Sequence, residues 1–172
     1  MTQERKGVVT FKGNPVTLLG PDIKEGAAAP DFTLVDNALQ PVSLADSRGK
    51  VRLITVVPSL DTPVCDTMTR NFNEAASQLP AGVAVYTVSL DLPFAQKRWC
   101  GNAGIERVKT LSDYKERSFG LNYGLLIDEL KLLARAVYVI DQKERVAYRE
   151  IVKEVTAEPD YNAALAAVKK LL

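Results

Sequence analysis

Apolar and polar residues alternate through VVTFKGNPVTLLG (8–20) on either side of Gly-Asn-Pro, a pattern that predicts an N-terminal β-hairpin. After a loop through EGAAAP, DFTLVDNALQPVSL (31–44) predicts two short strands around a turn. The β-branched run in GKVRLITVVPS (49–59) reads as a buried central strand that ends at Pro58. The pattern then changes period. Thr62 is placed as an N-cap and Pro63 at the first helical position, where its fixed φ and missing N–H do no harm. Val64, Met68, Phe72, Ala75 and Leu79 recur at helical spacing and are expected to form the buried face.

GVAVYTVSLD (82–91) predicts a second buried strand, and LPFAQKRWCGNAG (92–104) a short helix with proline at its start and glycine after it. VKTLSD (108–113) reads as a short strand and YKERSFGLNYG (114–124) as a broken helical segment. ARAVYVID and RVAYREIV, joined by QKE, form a hairpin of strands. EPDYNAALAAVKKLL closes the chain as a helix, with Glu158 and Asp160 near its start and Lys169 and Lys170 near its end. Strands alternating with helices and finishing in a hairpin and a helix predict an α/β fold with a mixed sheet. No repeat, low-complexity stretch or linker divides the sequence, so residues 1–172 are expected to be one domain, with 1–20 a hairpin extension.

The length of 172 residues suits that reading, since such a domain buries roughly 70% of its unfolded surface. The 22 basic and 21 acidic residues are scattered along the chain, so no basic stripe points to nucleic acid. The charged N-terminus lacks the apolar core of a secretory signal, and no run approaches the ~18 apolar residues of a membrane span. A soluble, cytoplasmic protein is expected.

Histidine is absent, which excludes a Ser–His–Asp triad, a Cys–His dyad and any histidine-ligated metal within the chain. Two cysteines cannot build a four-cysteine zinc or iron–sulfur site. Chemistry therefore falls to thiol, hydroxyl, carboxylate, lysine or arginine. Cys65, in PSLDTPVCDTMTRNF, lies in the first turn of the helix that Thr62 opens. Unpaired backbone N–H groups and the helix dipole favour an anion there, and such settings lower a cysteine pKa, so a histidine base is not needed. The competing view is a small buried hydrophobe, because free cysteine is among the most buried residue types. A cation is expected nearby. Arg135, in LLARAVYVI, and Arg52, in VRLITVV, both interrupt apolar strands, and position alone does not choose between them.

Cys100, in KRWCGN, is open to three readings: an unrelated thiol, half of a structural disulfide, or half of a catalytic pair. The last requires Cα atoms within ~7 Å, hence local loosening, for which Gly101 provides a flexible flank.

PSLDTPVC carries Pro58, Thr62 and Cys65 in the pattern Pro-x-x-x-Thr-x-x-Cys. With GNPVTLLG, DLPFAQKRWCG, LLARAVYVID and EPDYNAALAAVKKL, it resembles the peroxiredoxins, and among them the bacterial thiol peroxidase subfamily, over nearly the whole chain. The resemblance implies a thioredoxin-like fold, a mixed central β-sheet flanked by helices, with an added N-terminal β-hairpin. It implies that Cys65 is the peroxidatic cysteine and Cys100 the resolving one, joined transiently by an intramolecular disulfide. Thr62, Arg135 and Pro58 form the supporting shell, which favours Arg135 over Arg52. It also implies hydroperoxide substrates, with alkyl hydroperoxides favoured, thioredoxin as reductant, a homodimer, and neither metal nor organic cofactor. A non-catalytic thioredoxin-like binding module is the alternative. A general disulfide oxidoreductase is disfavoured because neither cysteine belongs to a C-x-x-C pair.

Overall fold

The computed structural model describes residues 2–172, whose centre is a seven-stranded mixed sheet. Its strands are β3 (Thr33–Val35), β4 (Pro41–Ser43), β5 (Val51–Val56), β6 (Val83–Ser89), β7 (Lys109–Ser112), β10 (Ala136–Ile140) and β11 (Val146–Ile151), in the order β11-β10-β5-β6-β7-β3-β4. The β5–β6 and β6–β7 pairs are parallel, and the others antiparallel. Helix α1 (Pro63–Ser77) crosses from β5 to β6 and α2 (Pro93–Ala103) from β6 to β7. Because both crossovers advance in the same direction, right-handed connections put both helices on one face. The C-terminal α4 (Tyr161–Lys169) packs on that face too, its first turn capped by the Asp160 carboxylate, which accepts from the Ala163 N–H at 3.0 Å.

Strand alternation divides the core. Leu53, Val57, Val83, Val85, Val137 and Val139 meet Met68, Phe72 and Ala76 of α1 and Ala164 and Val168 of α4. Ile54, Val56, Tyr86, Val88, Tyr138 and Ile140 face the other way, toward the short α3 (Ser118–Asn122) and a second sheet. That sheet joins the N-terminal hairpin, β1 (Glu4–Phe11) and β2 (Asn14–Leu19), to β8 (Leu126–Ile127) and β9 (Leu132–Leu133). The hairpin ends at Gly20, whose φ of 110° and contact with the Leu121 carbonyl leave no room for a Cβ. Its turn is held by Glu154, which accepts from Thr10, Gly13 and Thr156, bonds that hold the carboxyl down to about 2. No helix among the described residues is long and apolar enough to cross a membrane.

Two expectations need correction. The buried face of α1 consists of Cys65, Met68, Thr69, Phe72 and Ala76, with Val64, Ala75 and Leu79 only half-buried. Counting apolar residues alone set the phase wrongly, because Thr69 is buried by turning its hydroxyl back onto the Cys65 carbonyl at 2.9 Å. The strands β8 and β9 have no counterpart among the predicted elements. Two-residue strands carry no period for a pattern to reveal.

Candidate active site

Helix α1 begins where β5 runs out at the carboxyl edge of the parallel strands, the place where open α/β sheets hold their ligands. Thr62 occupies the N-cap with extended backbone, φ −126° and ψ 149°, and its carbonyl accepts the Asp66 N–H at 2.9 Å. Its hydroxyl, however, does not cap the helix. It donates instead to the Ser59 carbonyl at 3.1 Å. That corrects the expectation of a side-chain cap, and it leaves the first-turn N–H groups of α1 without a side-chain acceptor.

Cys65 is a free thiol with no solvent exposure, placed on the core face of α1 one turn before Met68. Arg135 immediately precedes β10 and is 2% exposed. Its Nε donates to the Val155 carbonyl at 2.8 Å and its Nη1 lies 3.6 Å from the Met68 sulfur. Among the described residues no carboxylate forms an ion pair with it. A buried guanidinium without a carboxylate is costly, and such a charge is characteristic of sites that receive an anion. Pro58 is buried in the loop before α1.

The other arginine is a structural residue. Arg52 lies at the amino end of β5, opposite Ile140, with the parity that faces away from α1. It donates to the Ser47 hydroxyl at 2.8 Å, the Asp141 carbonyl at 3.0 Å and the Leu44 carbonyl at 3.2 Å, and pairs with Glu144 at 3.4 Å.

Cys100 is also a free thiol, half-buried on α2, with its Sγ 3.4 Å from the Thr110 hydroxyl of β7. Thr110 donates to Asn37 at 3.1 Å. Burial pushes the Cys100 thiol above its ordinary pKa, against the opposing hydrogen bonds from Thr110 and Asn37. The structure therefore gathers Pro58, Thr62, Cys65 and Arg135 around the start of α1 and holds Cys100 on a different helix, α2, against Thr110 of β7.

One residue at this edge escaped sequence reasoning. The Asp91 carboxylate, just beyond β6, accepts from the Ser59 hydroxyl at 2.7 Å, the Leu60 N–H at 2.8 Å and the Ser89 hydroxyl at 2.8 Å. It fixes the loop whose Ser59 carbonyl receives Thr62. The available signal was its place just past the carboxyl end of a parallel strand.

The Redoxin family model matches residues 24–165. The chain is 60% identical over 164 residues to a thiol peroxidase of Halalkalibacterium halodurans, covering 95% of this chain and 98% of that protein. It is 54% identical to a thiol peroxidase of Bacillus subtilis over the same shares. Among solved structures, a peroxiredoxin-like protein from Aquifex aeolicus superposes with a TM-score of 0.91 at 44% identity, covering 99% of both chains. A thiol peroxidase from Chromobacterium violaceum shares the fold, with a TM-score of 0.85 at 21% identity, covering 94% of this chain and 95% of that one.

Proposed function

This chain belongs to the Redoxin family, among its peroxidases, and we propose that it reduces hydrogen peroxide and organic hydroperoxides at Cys65. The observation that carries the reading is the Cys65 thiol in the uncapped first turn of α1, with the carboxylate-free Arg135 guanidinium on Met68 one turn further along. The Cys65 thiolate attacks the terminal peroxide oxygen. An S–O bond forms as the O–O bond breaks, the alkoxide leaves and takes a proton from water, and Cys65 becomes a sulfenic acid. Arg135 and the Thr62 hydroxyl hold the peroxide and stabilise charge on the leaving oxygen, together with the first-turn N–H groups. Pro58 shields the thiolate from water.

Cys100 then attacks the sulfenic sulfur, an S–S bond forms, and the hydroxyl leaves as water with the Cys100 proton. Thioredoxin returns two electrons by thiol–disulfide exchange and restores both thiols. In this reading the protein is a single peroxiredoxin domain that works as a cytoplasmic homodimer and needs no metal or organic cofactor.

The test is consumption of cumene hydroperoxide by the reduced protein with a thioredoxin system, followed by intact-mass analysis. Cys65→Ser should abolish turnover, and Cys100→Ser should give one fast turnover that leaves an added oxygen on Cys65. Sustained turnover by the first variant overturns the peroxidatic assignment; normal cycling of the second overturns the resolving one.

A further inference from the structure

The residue after Cys65 and the residue before Cys100 are bonded to each other. Asp66 Oδ1 accepts the indole N–H of Trp99 at 3.0 Å, and Asp66 Oδ2 accepts the Arg70 Nε–H at 2.8 Å. Arg70 extends the connection: its Nη1 donates to the carbonyl of Ala103, the last residue of α2, at 3.2 Å. Its guanidinium also stands 5.9 Å from the centre of the Trp99 ring. Asp66 and Arg70 lie on the first two turns of α1, and Trp99 and Ala103 on the last turns of α2. The four residues clasp together the two helix segments that carry the cysteines.

The clasp holds an arrangement in which the cysteines cannot join. Cys65 sits on the face of α1 that meets β10 through Met68 and Arg135, whereas Cys100 rests on Thr110 of β7. In the order β10-β5-β6-β7 the two strands these contacts reach are three spacings apart, about 14 Å. A disulfide tolerates a Cα separation of no more than ~7 Å. The start of α1, the end of α2 or both must move, and either movement separates Asp66 and Arg70 from Trp99 and Ala103. Two features place the release at the end of α2. The helix stops at Gly104 in the left-handed region (φ 66°), and Arg70 caps its final carbonyl from outside, so losing Arg70 leaves that turn without its side-chain partner.

We propose that Asp66, Arg70 and Trp99 form a positioning clasp that sets how long the Cys65 sulfenic acid survives before Cys100 reaches it. The proposal rests on the reading of Cys100 as the resolving thiol. With the clasp closed, the sulfenic acid is exposed to a second peroxide, which would transfer another oxygen to sulfur and leave a sulfinic acid with release of water or alcohol. With it open, Cys100 attacks and water leaves. The clasp thereby sets the partition between these outcomes without touching the peroxide.

Trp99→Phe removes the indole N–H and keeps an aromatic ring in place. Arg70→Ala acts at an exposed position and removes both the ion pair and the cap on Ala103. After a peroxide pulse, quenched-flow alkylation with mass spectrometry should show disulfide formation accelerated about 3- to 10-fold in each, the factor that one net hydrogen bond is worth in an opening equilibrium. The sulfinic fraction at excess peroxide should fall in parallel. In a Cys100→Ser background the same substitutions should leave the rate of Cys65 oxidation unchanged. Disulfide formation at the original rate or slower in both variants overturns the clasp. If the unaltered chain forms no Cys65–Cys100 disulfide at all, the resolving role falls as well, and that result is distinct from the first.

Discussion

Asp91 receives the backbone N–H of Leu60 at 2.8 Å, so the loop that enters α1 is anchored to the end of a different strand. The same carboxylate takes the hydroxyls of Ser59 and Ser89, and the Ser59 carbonyl takes the hydroxyl of Thr62. Thr62 therefore reaches its place beside Cys65 through Asp91. Asp91→Asn keeps one acceptor oxygen where three donors converge, which leaves at least one of them poorly paired at a cost of about 1–3 kcal/mol. A melting temperature lowered by roughly 2–4 °C per kcal/mol is expected, together with slower oxidation of Cys65 by peroxide. A variant with the parental peroxide rate would show that the loop holds Thr62 without Asp91.

Arg135 and Arg52 are both buried guanidinium groups, but only Arg52 lies within a strand. Arg135 stands just before β10, so the expectation that it interrupts a strand is corrected, and their environments predict opposite phenotypes. Arg135→Lys keeps the charge but loses the planar fork shared between Val155 and Met68. The rate of Cys65 oxidation should drop on the order of 10²-fold, the loss typical of removing one preorganised donor to a developing oxyanion. The melting temperature should fall less than in Arg52→Lys, because one protein acceptor, the Val155 carbonyl, loses its donor. Arg52→Lys should lower the melting temperature, because the Ser47, Leu44 and Asp141 acceptors lose their donors, and should leave the oxidation rate intact. Stopped-flow kinetics with calorimetry on both variants separates the two. A rate loss in Arg52→Lys alone reverses the assignment.

The contrast between these arginines also shows how far the sequence can be read. The continuous apolar runs of β5 and β10 were legible as buried strands, and both are buried along their whole length between the two core faces. Thr62, Pro63 and Cys65 were legible as a helix start because proline and threonine have strong local preferences there. The direction of the Thr62 hydroxyl was not legible, since its acceptor is the Ser59 carbonyl, whose position depends on Asp91, 29 residues after Thr62. The burial of Cys65 stood as one of two readings, whereas that of Thr69 was missed, because a hydrophobic count does not score a threonine that bonds its own helix. Pairings such as Trp99 with Asp66 lie beyond any local pattern, because they depend on how two crossover helices settle on one face.

Asp113 should give the protein a measurable pH dependence of stability. It follows β7 and accepts the N–H groups of Phe119 at 3.1 Å and Gly120 at 2.8 Å, with 1% of its surface exposed. Burial outweighs those bonds and pushes its carboxyl from an ordinary 3.8 up to about 6. The folded state therefore binds this proton more tightly than the unfolded state. The associated stability is fully present below about pH 4 and is lost as pH rises through about 6, a change of about 3 kcal/mol. Asp113→Asn cannot titrate. The unfolding free energy of the variant relative to the parent should thus rise from acid toward neutral pH in urea titrations. A difference independent of pH would show that the carboxyl stays ionised in the fold.

Cys100 should behave as a thiol that is slow to ionise until α2 moves. Half-burial raises its pKa above the ordinary 9.0, and its nearest polar partner is the Thr110 hydroxyl at 3.4 Å. Because the thiolate is the reactive form, alkylation of folded Cys65→Ser protein should be slower at neutral pH than that of an exposed thiol. Its rate should also keep climbing past pH 9, where the exposed thiol levels off. Unfolding in urea should restore the ordinary profile, since the cause is burial. The same ionisation requirement applies to the attack of Cys100 on the oxidised Cys65, so disulfide formation should accelerate with pH over the range in which alkylation does. If alkylation of the folded protein instead levels off below pH 9, the Thr110 and Asn37 hydrogen bonds outweigh burial, and Cys100 is poised as a thiolate before α2 opens.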